Sequence, residues 1–152
     1  MIAMALAQEP DLLIADEPTT ALDVTTQKEV LDLIVRVADE RKTAVLLITH
    51  NLGLVAQYSN FVYVMYAGQI VESGLVRDVL KSPRHPYTQG LIGAVPRLDL
   101  PKDSPLEGIP GTVPSPTDWP TGCAFHPRCP KAVSTCSDPT FTTCPHCPKC
   151  GG

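Results

Sequence analysis

Proline divides this chain in two. Of its 16 prolines, only Pro10 and Pro18 stand before residue 83, and the other fourteen fall from Pro83 onward. Proline fixes φ and has no backbone N–H, so it is kept out of helix interiors and central strands. Regular layers are therefore expected before Pro83. Between Pro96 and Pro120 the prolines recur every few residues, which predicts an extended connector, and a cysteine-rich tail follows.

The first part alternates two periodicities. "LLIA" (Leu12–Ala15) and "AVLLI" (Ala44–Ile48) are short continuous apolar runs, as buried parallel strands are. Between them, Val30, Leu31, Ile34, Val37 and Ala38 form a helical stripe within Val24–Glu40. A short helix is expected over Asn51–Tyr58 and a third strand at "FVYVMY" (Phe61–Tyr66), rich in β-branched and aromatic residues. "AGQIVESG" (Ala67–Gly74) reads as a turn into a short edge strand, and 75–95 as two short helices broken by "SPRHP". Strands alternating with helices imply an α/β layered sheet.

Bulk properties exclude several function classes. A chain of 152 residues holds one domain, or a small domain with an appendage. Its composition, 43% apolar and 18% charged, is that of a globular rather than a disordered protein. A net charge of −4 without a basic run longer than two residues argues against nucleic acid as a partner. No apolar stretch is long enough to span a bilayer. The opening "MIAMALAQEPD" lacks the positive n-region and cleavage site of a signal peptide. A cytoplasmic protein is expected, with any membrane association supplied by a partner. The six cysteines, at 123, 129, 136, 144, 147 and 150, all follow Thr121. Without a secretory signal, such a cluster reads as metal ligands or plain thiols rather than a disulfide framework.

The chemistry-bearing stretch is "LLIADEPTTALD", Leu12 to Asp23. A strand that delivers two adjacent carboxylates at its C-terminal end places them where open α/β sheets bind ligands. Asp16 would face a Mg²⁺ ion through water, since magnesium keeps part of its hydration shell. Glu17 would take a proton from an attacking water, help worth about 10²–10⁴-fold in rate. His50 follows the next buried strand and so emerges at the same sheet edge, able to bond a phosphate oxygen or hold that water. Asp23 ends the polar turn, where it can reach a neighbouring subunit, cap the helix that follows, or do both. Each residue alone has a plainer reading as a loop start, a cap or a surface side chain. Their joint spacing favours the chemical one.

In that order the motifs resemble the ATP-binding subunits of ABC transporters. Asp16–Glu17 match the Walker B pair, "TALD" the D-loop and His50 the switch histidine, while "MIAMALAQEPDLL" looks like the helix after the signature sequence. "SPRHPYTQGLIGAVP" (Ser82–Pro96) and "IPGTVPSPTDWPTGCAFHPRCP" (Ile109–Pro130) resemble the C-terminal extension of the oligopeptide/dipeptide importer branch, some of whose members take nickel. The resemblance implies residues 1–80 as part of an ABC-type P-loop ATPase layered sheet. Residues 81–152 would be the importer-type, mostly irregular extension. It implies ATP and Mg²⁺ as cofactors, with Glu17 the base, Asp16 the magnesium organiser, His50 the γ-phosphate sensor and Asp23 a cross-interface contact. The implied partners are a second ATPase subunit, integral membrane permeases and, indirectly, an extracytoplasmic peptide-binding protein. The implied place is the cytoplasmic face of the membrane, as a peripheral subunit.

The pattern is incomplete. No G-x-x-x-x-G-K-[ST] occurs in the chain, nor do the glutamine loop and the signature sequence. A truncated copy is the expected explanation, and one inactive by itself, because phosphoryl transfer depends on positioning and electrostatics that the phosphate cradle supplies. The alternative is a non-catalytic metal-binding or interaction module that keeps ATPase relics as its scaffold.

In the importer branch the "GC-x-FHPRC-P…C" pattern carries a [4Fe–4S] cluster on four cysteines. Here these would be Cys123, Cys129, Cys136 and, by order, Cys144, with His126 and Arg128 bracing the loop. The sequence departs from the branch before the fourth cysteine, and "CPHCPKCGG" is unlike the usual ending. A zinc site drawing on Cys144, Cys147 and Cys150, or no metal, stay open. Trp119 is expected as the anchor of a small core.

Overall fold

The computed structural model describes residues 4–5, 7–95, 108–115 and 117–140. The chain divides into two compact units, Met1–Ser59 and Asn60–Gly152.

The first unit is a strand–helix–strand–helix run: β1 (Leu12–Asp16), α1 (Val24–Arg41), β2 (Ala44–Ile48) and α2 (Leu52–Tyr58). β1 and β2 pair in parallel, Leu13 beside Val45, Ala15 beside Leu47 and Asp16 beside Ile48. α1 forms where the stripe predicted it. Asp23 caps it, its carboxylate accepting from the backbone N–H groups of Thr25 and Thr26, both at 3.1 Å. Lys42 closes the other end at φ 56°, its N–H directed to the carbonyls of Ala38 and Asp39. Leu31 and Ile34 then bury against Leu13, with Leu47, Leu54 and Tyr58 around them. Tyr58 also donates its hydroxyl to Asp32 at 2.8 Å, tying α2 to α1.

Alternation along β1 leaves Leu12 and Ile14 on the other side of the sheet, 50% and 60% exposed. β2 was expected to be buried, yet Leu46 and Ile48 lie open with them. The reason is geometric: α1 covers one face of this strand pair, and no described element of the unit covers the opposite one.

The second unit begins with a hairpin of β3 (Phe61–Tyr66) and β4 (Gln69–Leu75). The class is α/β as expected, but β3 runs antiparallel to β4, and the described strands form two separate pairs rather than one sheet. The turn sets this geometry. Ala67 and Gly68 have φ of 50° and 77°, and two left-handed residues in a two-residue loop match the twist of a hairpin. Two helices follow, α3 (Val76–Lys81) and α4 (Pro86–Gly93), with Pro86 in the first turn, where its missing N–H costs nothing.

The core of this unit is Val64, Tyr66, Val71, Val79, Ala124 and Phe125. Phe125 is 1% exposed and makes ring contacts with Tyr66, Tyr87 and His85, with centroids 5.1, 5.5 and 5.7 Å away. Trp119, expected as the anchor, is 44% exposed beside Gly68. The difference is one of attachment: Phe125 leads directly into a tight 3₁₀ turn at His126–Arg128 that points it inward. Of the connector, 108–115 has no regular secondary structure, in keeping with its prolines.

Candidate functional site

The carboxylate pair sits where the strand pattern puts it. Asp16 is the last residue of β1, level with Ile48, and Glu17 continues the pairing by donating its N–H to the Ile48 carbonyl at 2.9 Å. Glu17 then leaves the strand with φ of 44°, a left-handed conformation uncommon outside glycine. The chain turns tightly there, Thr20 N–H returning to the Glu17 carbonyl at 3.1 Å and Leu22 N–H to that of Thr19 at 3.2 Å.

The turn and the end of β2 bring Glu17 and His50 together. Glu17 Oε1 lies 2.7 Å from His50 Nδ1. The second carboxylate oxygen, Oε2, accepts from the Thr20 hydroxyl at 2.7 Å. His50's bond, followed by that of Thr20, holds the Glu17 carboxyl below its ordinary pKa of 4.5. The carboxylate is therefore ionised at neutral pH, acceptor-only, and His50 must carry its proton on Nδ1. A neutral ring so held offers Nε2 as an acceptor to a water, and a protonated ring offers it as a donor to a phosphate oxygen. A lowered carboxyl pKa places the pair's contribution above the ordinary value. It is lost as pH falls through the depressed pKa, below 4.5.

Asp23 is occupied by its capping bonds, with the Thr26 hydroxyl 2.6 Å from Oδ2. That hydroxyl, followed by the Thr26 backbone, holds the Asp23 carboxyl low. Glu17, Thr20, Leu22, Gln27, His50 and Asn51 share an open cavity of about 290 Å³. Thr20 opens the "TALD" motif, yet sequence reasoning gave it no role, although a hydroxyl three residues after an acidic residue in a polar turn is a recognisable signal.

In the second unit Cys123, Cys129 and Cys136 lie near one another, none in a disulfide, and Cys144 falls outside the described residues. Cys123 N–H donates to the Cys136 carbonyl at 2.9 Å. Gly122, at φ 73°, allows that approach: a Cβ there would stand 2.4 Å from the Cys136 carbonyl oxygen. Burial raises the Cys129 thiol above its ordinary 9.0, and the thiols of Cys123 and Cys136 add to the effect. His126 Nδ1 is 2.9 Å from the Cys123 carbonyl. Arg128 donates to the carbonyls of Pro110 at 2.7 Å and Ile109 at 3.1 Å, so both motif residues brace the loop as expected. Among the described residues, no group of three or more His, Cys, Asp or Glu side chains is arranged to hold a metal ion.

Sequence reasoning also missed Glu72. It is buried, and its carboxylate accepts from the N–H groups of Arg84 and His85 at 2.8 and 3.0 Å, fixing the entry to α4.

Residues 71–136 match the model of the oligopeptide/dipeptide transporter C-terminal region. A Brucella ovis protein assigned as a peptide import ATP-binding protein is 53% identical over 140 residues, covering 89% of this chain and 41% of that protein. Over most of its length, then, the chain is similar to peptide-import ATP-binding proteins. The oligopeptide transport ATP-binding protein AppD of Bacillus subtilis is 52% identical over 136 residues, or 90% of this chain. The chain spans about two fifths of the length of these relatives, 41% in both cases. A solved structure of CbiO1 from Clostridium perfringens, part of the ABC transporter complex CbiONQ, is 32% identical. It covers 51% of this chain and 31% of its own, with a TM-score of 0.47. No helix among the described residues is long and apolar enough to cross a membrane.

Proposed function

We propose that this chain supplies the water-activating part of an ATP-binding subunit that energises uptake of di- and oligopeptides. The observation that carries the reading is the Glu17–His50 contact of 2.7 Å at the C-terminal end of a parallel strand pair. Glu17 is the base for the attacking water, and Asp16 would organise Mg²⁺. His50 senses the γ-phosphate, and Asp23 reaches a second ATPase subunit while capping α1. The subunit works at the cytoplasmic face of the membrane against permeases, with an extracytoplasmic peptide-binding protein upstream of them. The relatives named for peptide import support this assignment. The test is a hybrid that joins the part of AppD this chain does not match to these 152 residues. ATP turnover by the hybrid is the expected result. A folded hybrid that binds ATP and turns none over overturns the reading.

For the extension, the reading is a [4Fe–4S] cluster on Cys123, Cys129, Cys136 and Cys144, with zinc as the alternative. Cys123, Cys129 and Cys136, none of them in a disulfide, are the three described members of that set, though among the described residues no group is arranged to hold a metal ion. Such a cluster would need four thiolates. Iron and acid-labile sulfide measured on anaerobically purified protein, with zinc in the same assay, decide the point. Iron and sulfide in equal amounts are expected, zinc instead selects the alternative, and neither removes the metal.

A further inference from the structure

Both oxygens of the Glu17 carboxylate are engaged, and the two donors come from different segments. His50 Nδ1, beyond β2, meets Oε1 at 2.7 Å, and Thr20 Oγ1, inside the turn after β1, meets Oε2 at 2.7 Å. An ionised carboxylate only accepts, so the Thr20 hydroxyl is the donor. The turn that presents it is pinned from below. Thr19 is buried, and its hydroxyl accepts from the Gln27 side-chain amide on α1 at 2.8 Å. Glu17 itself is held at a positive φ, a strained conformation that persists where surrounding contacts over-determine it. Its side chain is 38% exposed and that of His50 83%, so solvent competes for both partners. Without a second anchor the carboxyl group would rotate freely about its terminal torsion, which has no sharp preference of its own.

We propose that Thr20 is a positioning residue for the Glu17–His50 pair. Its hydroxyl holds the carboxylate plane so that one oxygen stays on His50 and the ring stays in its Nδ1–H form. The catalytic meaning of that alignment rests on the ATPase reading above; the alignment itself does not. Thr20 is exposed, so changing it empties no core.

The test uses the whole chain without nucleotide. The ¹⁵N shifts of the His50 ring, at a pH where histidines are neutral, report the ratio of Nδ1–H to Nε2–H tautomers. Losing this one hydrogen bond, Thr20→Val should lower the ratio by about two- to tenfold. Thr20→Ala should do the same, and Thr20→Ser should restore it. The amide shifts of Thr25 and Thr26, bonded to Asp23, check that the turn and cap are intact. An unchanged ratio in Thr20→Val and Thr20→Ala, or no recovery in Thr20→Ser, overturns the proposal. Because ATP is absent, a hybrid without turnover would sink the functional reading and leave this result standing.

Discussion

Glu17→Gln in the AppD hybrid should lower kcat for ATP hydrolysis by about 10²–10⁴-fold, the range that a positioned general base supplies. Glutamine keeps the shape of the side chain and a carbonyl oxygen for the His50 Nδ1–H, so the local fold should survive. What disappears is the negative charge that takes a proton. kcat and kcat/KM should fall together, as they do when the lost interaction is made only in the transition state. ATP binding should persist, because Glu17 is assigned to the water and not to the phosphates. Steady-state turnover beside equilibrium nucleotide binding separates these effects. A Glu17→Gln hybrid with undiminished kcat would remove Glu17 from the chemistry.

Phe125→Ala should destabilise the second unit by about 3–5 kcal/mol, the cost of emptying a buried aromatic site. Phe125 is only 1% exposed, and three other rings meet it. Its loss opens a cavity among Tyr66, Tyr87 and His85 that the surrounding hairpin and helices fill only in part. Arg128, three residues further on, would still hold Ile109 and Pro110, so partial relaxation sets the lower end of the range. Trp119, the sole tryptophan, lies beside the β3–β4 turn at Gly68 and gives a fluorescence signal for this unit. Urea unfolding followed at that tryptophan measures the change. A shift under about 1 kcal/mol, the size of an ordinary surface change, would place the core elsewhere.

Much of the first unit was legible because its signals are local. The apolar stripe from Val30 to Ala38 makes a helix at 3.6-residue spacing, and Asp23 caps it whatever else it does. The two apolar runs make strands, and parallel pairing follows from the helix between them. Glu17 and His50 could be brought to one edge on that basis alone. The turn chemistry was not legible in the same way. Glu17 at φ 44° breaks the usual preference of a non-glycine residue, and Thr20 reaches its carboxylate from the turn that follows. The second unit depends on pairs far apart in sequence, which spacing does not reveal. Glu72 meets the backbone of Arg84 and His85, and Phe125 meets Tyr66 and Tyr87. Trp119 looked like the anchor by size, yet its proline-rich segment leaves it at the surface. The compositional break near Pro83 and the packing break at Ser59/Asn60 are also different boundaries, since α3 and α4 follow directly on the hairpin.

The role proposed for the Glu17–His50 end of this chain is to energise peptide import. Peptide uptake by Bacillus subtilis cells that lack AppD and carry the hybrid tests it directly. Uptake restored by the hybrid, and abolished by Glu17→Gln at equal protein level, is the predicted result. A hybrid that accumulates, hydrolyses ATP and restores no uptake would contradict it.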